Sequence, residues 1–316
     1  MLMFLSGEKS KEKDDLAFIG EMNSLKVKEQ LEKQIIILQK IGILETLKSG
    51  KTLGIAGIDD KEYRVPTLED ILKRSVEKKE LLRKKIKQGF TKILLVPFAC
   101  SLEKIIEKYE EALMAHHNTG QLLATKEKIE EKDEPLELDT THPINIWNEL
   151  RDGDIKNSFV YFPTTYNKDN HQGKTKVELL FIDDKNAWQI YLMEDMPNIP
   201  SSNNGKKIGH RRQIEAGESP VAYLAMLQKN KDYQGEDGFT PEADLIYALF
   251  CLEETNQIVN DWQGKGNISC ELGAFLVPSN GISWLSWDRD FKRADLWKLG
   301  IENRDPHMGP RVGIRI

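Results

Sequence analysis

Cysteine is scarce in this chain: Cys100, Cys251 and Cys270 are an odd number, far apart and without a CxxC pair. That pattern excludes a disulfide framework and predicts reduced, buried thiols in a cytoplasmic protein. Long apolar runs are also missing. The longest, Ile35 to Leu38 and Ile93 to Phe98, fall far short of the roughly 20 residues that span a bilayer, so they suit core elements and predict no membrane partner. Met1 to Leu5 is too short for the apolar core of a signal peptide and no basic residue precedes it, which predicts no export. Nor is there an excess of positive charge. Lys and Arg number 45 against 51 Asp and Glu, a net charge of −6, so no global field recruits nucleic acid or an anionic surface.

Catalytic motifs are missing as well. Gly50-Lys51-Thr52 and Gly173-Lys174-Thr175 resemble the end of a phosphate-binding loop, but the glycine required five residues before the second glycine is replaced by Glu45 and Lys168. Both triplets are therefore read as turns. Gly54-Ile55-Ala56-Gly57 lacks the rest of a dinucleotide fingerprint. The histidines are His116, His117, His142, His171, His210 and His307. None forms the i, i+4 pair that puts two metal ligands on one helical face. The carboxylate pairs Glu253-Glu254 and Asp183-Asp184 have no nucleophile to serve and read as solvated faces. The expectation is a protein that is not an enzyme, with no cofactor and no metal.

What is present is enough for a core: 316 residues, 39% of them hydrophobic. From Ser24 to Lys40, Val27, Leu31, Ile35 and Leu38 recur at helical steps until Gly42. This stripe suits an ordinary packed helix, with a homo-oligomer through residues 24–41 as the alternative. Thr52 to Val65 reads as two short strands around Asp59-Asp60. Thr67 and Asp70 form a capping box for a helix to about Lys87, ended by Gln88-Gly89. Phe90 to Phe98 is a buried strand, and Ser101 caps a helix whose Leu102, Ile105, Ile106, Tyr109 and Leu113 share a face.

The charged stretch 126–141, which contains Pro135, is the expected linker between a 1–125 helical α/β unit and a 142–316 domain. In the latter, the apolar segments Phe159 to Pro163, Val177 to Ile182 and Trp188 to Met193 alternate with polar loops. Helices are expected from Ser219-Pro220 to Lys229 and from Thr240-Pro241 to about Val259, each opened by a cap residue followed by proline. Lys206, Lys207, His210, Arg211 and Arg212 form a compact basic loop that could grip a phosphate.

Four of the six tryptophans, Trp262, Trp284, Trp287 and Trp297, lie in the last quarter, interleaved with Arg289, Arg293, Arg304, Arg311 and Arg315. Trp and Arg dominate interface hot spots. The run from Gly273 to Ile316 resembles the end of C-type-lectin-like domains of the formylglycine-generating-enzyme type, with matches at Trp287, Arg289, Arg293-Ala294, Arg304, Gly309-Pro310-Arg311 and Ile314 to Ile316. It looks most like the variable proteins of diversity-generating retroelements, in which adenine mutagenesis rewrites codons for ligand-contacting positions on a fixed scaffold. Gly238-Phe239-Thr240-Pro241-Glu242 is similar to a helix start of that fold, whereas the usual Gly-Asn-x-Trp-Glu-Trp segment is replaced by Asn260-Asp261-Trp262.

The resemblance implies an α+β fold ending in an irregular C-type-lectin-like domain, and scaffold roles for Gly273, Trp287, Arg293, Gly309, Arg311 and Arg315. The ligand face would draw on Trp284, Leu285, Trp287, Asp288, Phe291, Leu296, Trp297, Leu299, Ile301 and His307. Adenine mutagenesis admits Leu285, Asp288, Phe291, Leu296, Leu299, Ile301 and His307 as variable positions but not Lys292, Trp297 or Lys298. The expected function is non-enzymatic binding of a protein or other macromolecule. Alternatives are a nucleic-acid module using loop 206–212, or an oxidase related to formylglycine-generating enzymes, which would need a second cysteine beside Cys270.

Overall fold

A computed structural model describes residues 2–316 apart from 49, 127 and 129, and apart from the side chains of residues 2–10. Met1 and the side chains of the Met1 to Leu5 stretch therefore lie outside what is described. Among those that are described, no helix is long and apolar enough to cross a membrane.

The chain opens with α1 (Leu2–Ser24) and α2 (Val27–Lys40), joined through Lys26 in a left-handed conformation. The α2 stripe is consumed inside the molecule: Val27, Leu31, Ile37 and Leu38 are buried, while Ile36 is 66% exposed. Its two glutamines do more than pack. They meet the edge of β4 (Phe90–Val96): Gln30 accepts from Ile93 N and donates to Thr91 O, and Gln34 accepts from Leu95 N and donates to Ile93 O. Side-chain amides thus satisfy an edge that would otherwise be a template for strand addition. The stripe is thus packed within the chain, as the ordinary-helix reading expected, and does not leave the free face that the alternative, a homo-oligomer through residues 24–41, would use.

The short strands β1 (Glu45–Thr46), β2 (Leu53–Ala56) and β3 (Glu62–Arg64) form an antiparallel sheet. The Thr67–Asp70 capping box opens α3 (Leu68–Glu77) as expected. The single helix expected to Lys87 instead bends at Lys78 (φ −119°, ψ 17°) into α4 (Lys79–Ile86). The bend gives each half its own buried pair, Ile71 with Ser75 and Leu82 with Lys85. Gly89, at φ +92°, then turns the chain into β4.

After α5 (Leu102–Asn118), capped by Ser101, the segments around Leu123 and Leu136 fold back on the molecule: Leu123 N donates to Asn256 O and Leu136 N to Leu122 O. The following elements are β5 (Ile144–Ile146), β6 (Phe159–Tyr161), α6 (Lys176–Ile182) and β7 (Gln189–Glu194). Val177 to Ile182 is thus helical, opened by a Thr175–Glu178 capping box that accounts for the second Gly-Lys-Thr triplet. Next come β8 (Lys207–Ile208), β9 (Arg211–Arg212), α7 (Pro220–Lys229), β10 (Asp237–Gly238) and α8 (Pro241–Thr255). The last helix stops short of Val259 because Asn256 takes a left-handed conformation (φ 61°), which asparagine tolerates. The chain closes with β11 (Ile268–Cys270), β12 (Ala274–Leu276), β13 (Gly281–Asp288), β14 (Arg293–Gly300), β15 (Met308–Gly309) and β16 (Val312–Arg315).

The fold is α+β, built on two larger sheets. One has the order β10-β16-β7-β4, all antiparallel; the other runs β15-β11-β13-β12-β6, with β14 on β13 and β5 on β14. Helix α8 lies between them, in contact with β4 and α5 on one side and β13 on the other. The linker expected at 126–141 therefore does not divide the core. Strand β4 precedes it, yet pairs with β7 beyond it, and one cluster of buried side chains runs from Phe18 to Ile314.

Because α8 is buried on nearly every side, its acidic residues had to be answered internally. Glu242 Oε1 receives Lys176 Nζ at 2.7 Å and the Tyr161 hydroxyl at 2.6 Å. The same ammonium donates to Asp154 Oδ2 at 2.7 Å and Cys100 O at 2.9 Å, with the rings of Phe98 and Tyr161 at 5.0 and 5.8 Å. Burial alone would lower the Lys176 pKa, but the two carboxylates more than offset it and hold the group above the ordinary lysine value. Lys176→Met leaves Asp154 and Glu242 uncompensated. It should lower the unfolding free energy by about 3–5 kcal/mol in urea titrations; a loss below ~1 kcal/mol would show that the cluster is not structural.

Candidate functional site

The hairpin β13–β14 is in register from Gly281 opposite Gly300 to Asp288 opposite Arg293, and β5 runs parallel to β14 with Asn145 beside Asp295. Strand alternation sorts the tail into two faces. Leu285, Trp287, Ala294 and Leu296 point into the main core, each at most 1% exposed. Trp284, Ser286 and Asp288, with Arg293, Asp295 and Trp297, take the other face in cross-strand rows: Asp288 with Arg293, Ser286 with Asp295, Trp284 with Trp297.

Several expected ligand contacts are thereby corrected. Leu285, Trp287 and Leu296 are core residues, because inward positions alternate with outward ones and these have the wrong parity. Leu299 has the right parity but is 5% exposed, packed in a second cluster with Tyr223 and Leu227 of α7. Asp288 holds the turn, its Oδ1 accepting from Asp290 N at 2.9 Å and Phe291 N at 3.0 Å. Phe291 is 61% exposed at the hairpin tip, with the Arg293 guanidinium 4.7 Å from its ring centre. Ile301 lies at the other end of the hairpin, roughly 25 Å away along the strand, where its carbonyl accepts from Val221 N. His307 is exposed, 5.9 Å from the Trp262 ring.

What the structure does bring together is an aromatic and polar patch on β13, β14 and β5. Trp284 and Trp297 are half-buried neighbours, and Trp147, just past β5, meets Trp297 edge-on at 5.0 Å with Lys298 Nζ 5.5 Å from its own ring. In the next row Asp295 Oδ1 accepts from Asn145 Nδ2 at 2.8 Å and lies 3.5 Å from Arg293 Nε. Burial raises the Asp295 pKa, with Asn145 and Arg293 working against it. Ser286 Oγ, Arg293 Nε and Trp147 Nε1 are buried without a hydrogen-bond partner among the described residues. Each such group costs free energy until something bonds it. Sequence reasoning missed Trp147 and Asn145, which lie about 140 residues before the hairpin and reach it only through the β5–β14 pairing.

Of the residues expected to be scaffold, Arg293 lies on the outer face of the hairpin, whereas the others are firmly held. A Cβ on Gly273 would lie 2.5 Å from Gly238 O, and one on Gly309 would lie 2.7 Å from Ile199 Cγ2. Arg311, 3% exposed, donates to Met196 O, Pro197 O and Asn260 Oδ1 at 3.0, 2.6 and 2.9 Å and covers the Tyr247 ring. Arg315 bonds Asp237 at 2.8 Å and stacks on Phe162.

The basic loop is not a free cationic grip. Arg211 is 1% exposed, doubly bonded to Glu236 at 2.6 and 2.7 Å, bonded to Glu194 at 2.9 Å, and stacked against Phe90 and Tyr233. Arg212 is engaged by Glu215. Among the described residues no group of three or more His, Cys, Asp or Glu could hold a metal ion. Cys270, on β11, is fully buried and burial pushes its thiol pKa up. The chain matches no known protein family, no curated protein and no solved structure.

Behind the hairpin, burial raises the pKa of Glu271 well above the carboxylate range and that of Asp244 to about 6, the latter against the pull of Arg311. A carboxyl whose folded pKa is raised stabilises the fold fully below its unfolded pKa of about 4, and that contribution is lost as pH rises toward the folded value. Glu271→Gln removes this loss. Relative to wild type, the variant should be near neutral at pH 4 and gain up to about 1.4 kcal/mol per pH unit above it. Chemical denaturation between pH 4 and 8 checks this, and parallel curves would refute the buried proton.

Proposed function

We propose that this chain is a non-enzymatic ligand-binding protein whose C-terminal region is a C-type-lectin-like scaffold of the formylglycine-generating-enzyme type, and that the β13–β14–β5 patch is its ligand face. The observation that carries the reading is the in-register Trp284–Trp297 pair, half-exposed beside Trp147 and next to a row of polar groups; Ser286 Oγ and Trp147 Nε1 lack a hydrogen-bond partner among the described residues. Aromatic faces supply contact area at low entropic cost and the unpaired donors supply direction, which is the composition of a recognition patch. The tight packing around Gly273, Gly309 and Arg311 supports the division into scaffold and face.

Diversification, as in variable proteins of diversity-generating retroelements, would then be confined to admissible positions whose side chains reach solvent, such as Phe291, Ile301 and His307, none of which lies on the patch itself. Leu285, Leu296 and Leu299 would not tolerate it, since polar replacements there leave unpaired groups in a core. A reverse transcriptase gene and an adenine-rich near-copy of the tail in the flanking DNA would support diversification; absence of both removes it. The nucleic-acid alternative loses its central cation to Glu236 and Glu194. The oxidase alternative would need an accessible thiolate where Cys270 is enclosed.

A photo-reactive residue at position 291 should cross-link the partner from the source cell. Trp297→Ala should then weaken binding of that partner at least tenfold, about 1.4 kcal/mol, while Lys206→Glu leaves it unchanged. A folded Trp284→Ala/Trp297→Ala protein that keeps every partner at wild-type affinity sinks the proposal.

A further inference from the structure

On the opposite side of α8 from the hairpin, a partly enclosed cavity of about 350 Å³ opens between α8, the β4–β7 pair and the segment around Thr125 and Lys126. That volume falls at the small end of the range for small-molecule sites, about 300–1,000 Å³. Its inner wall is apolar: Leu94 and Met193 from the sheet, Tyr247 and Phe250 from α8, Ile258 and Val259 beyond it. The polar groups along the wall are already engaged. The Tyr247 hydroxyl donates to Met196 O at 3.1 Å, Thr255 Oγ1 to Cys251 O at 2.6 Å, and Thr125 Oγ1 to Ile258 O at 2.6 Å. Gln257 Oε1 accepts from Lys126 N at 3.1 Å, and the Gln34 amide serves β4. An occupant therefore finds dispersion contacts and no hydrogen-bonding demand inside.

The rim is different. Lys92, Lys126 and Lys128 stand there with Asp195 and Glu254; Lys126 is bridged to the exposed Asp133, and Glu254 to Lys33 at 3.2 Å. Lys92 is bridged to Asp195 at 3.0 Å, both substantially exposed, a pairing weak enough to exchange for another anion. From the apolar wall and the lysine-rich rim we infer that this cavity is a binding site for a small amphiphilic carboxylate, its hydrocarbon chain along α8 and its head group among Lys92, Lys126 and Lys128. The inference is independent of the ligand face proposed above, since the cavity shares no residue with the β13–β14–β5 patch.

Cys251 gives the site its own reporter. It lines the cavity and is partly exposed, whereas Cys100 and Cys270 are fully buried. Burial pushes the Cys251 thiol up to about 11, so labelling is slow and easily timed at mildly alkaline pH. Native protein treated with N-ethylmaleimide should acquire one adduct at Cys251, followed by intact mass. Saturating decanoate should slow it at least fivefold, and decanol, with the same chain and no charge, markedly less. Thr255→Trp at the exposed mouth should abolish decanoate protection and its calorimetric binding signal. Lys126→Glu should weaken decanoate without affecting decanol. Labelling unaffected by decanoate, together with no calorimetric signal, overturns the inference. Equal protection by decanoate and decanol overturns its head-group assignment. Trp297→Ala should leave all of these readouts unchanged.

Discussion

The ammonium of Lys176, donating to Asp154, Glu242 and a backbone carbonyl with two aromatic rings against it, is the constraint on which the rest of the molecule hangs. Helix α8 is packed on nearly all sides, so the charges it carries at Glu242 and Asp244 cannot reach water. Such charges persist only if partners come to them. Lys176 comes from α6 and Asp154 from the preceding loop; Arg311, lying against Asp244, comes from the penultimate turn of the chain. Segments about 65 to 90 residues from α8 in the sequence are thereby fixed around it, and the two sheets take their places on either side.

Electrostatic compensation of this kind is repeated, always in the interior. Arg211 and Lys85 converge on Glu236, and Glu194 completes the set. The chain is 30% charged, and some of that charge braces short, irregular elements that have too few backbone hydrogen bonds to define one arrangement alone. This explains why a compact run of basic residues gives no basic surface. Buried polar atoms without a hydrogen-bond partner among the described residues occur both at the β13–β14–β5 patch (Ser286, Trp147) and behind the hairpin (Asp244, Asn260, Ser269, Glu271).

The helix α8 separates two regions of different character. On the hairpin side the sheet offers half-buried tryptophans beside a row of polar groups, the composition on which the proposed ligand face rests. On the β4 side the wall is apolar and already satisfied, suited to something small that enters and is enclosed. The thiols near the two regions are held in their protonated form by burial.

Much of the local structure was legible in the residues themselves. The Thr67–Asp70 capping box, the Ser101, Ser219 and Thr240 caps and the apolar run of β4 each formed where the sequence placed them, because caps and short periodicities are settled within a few residues. The density of Trp and Arg in the tail was equally plain. Tertiary structure alone decided which of those residues face outward, since parity along β13 became meaningful only once α8 covered one face. It also decided that β4 would pair across the expected linker, that Trp147 and Asn145 would join the hairpin, and that Arg211 would be sealed against Glu236. Each of these depends on contacts between segments tens to more than a hundred residues apart, whose closure no local pattern encodes.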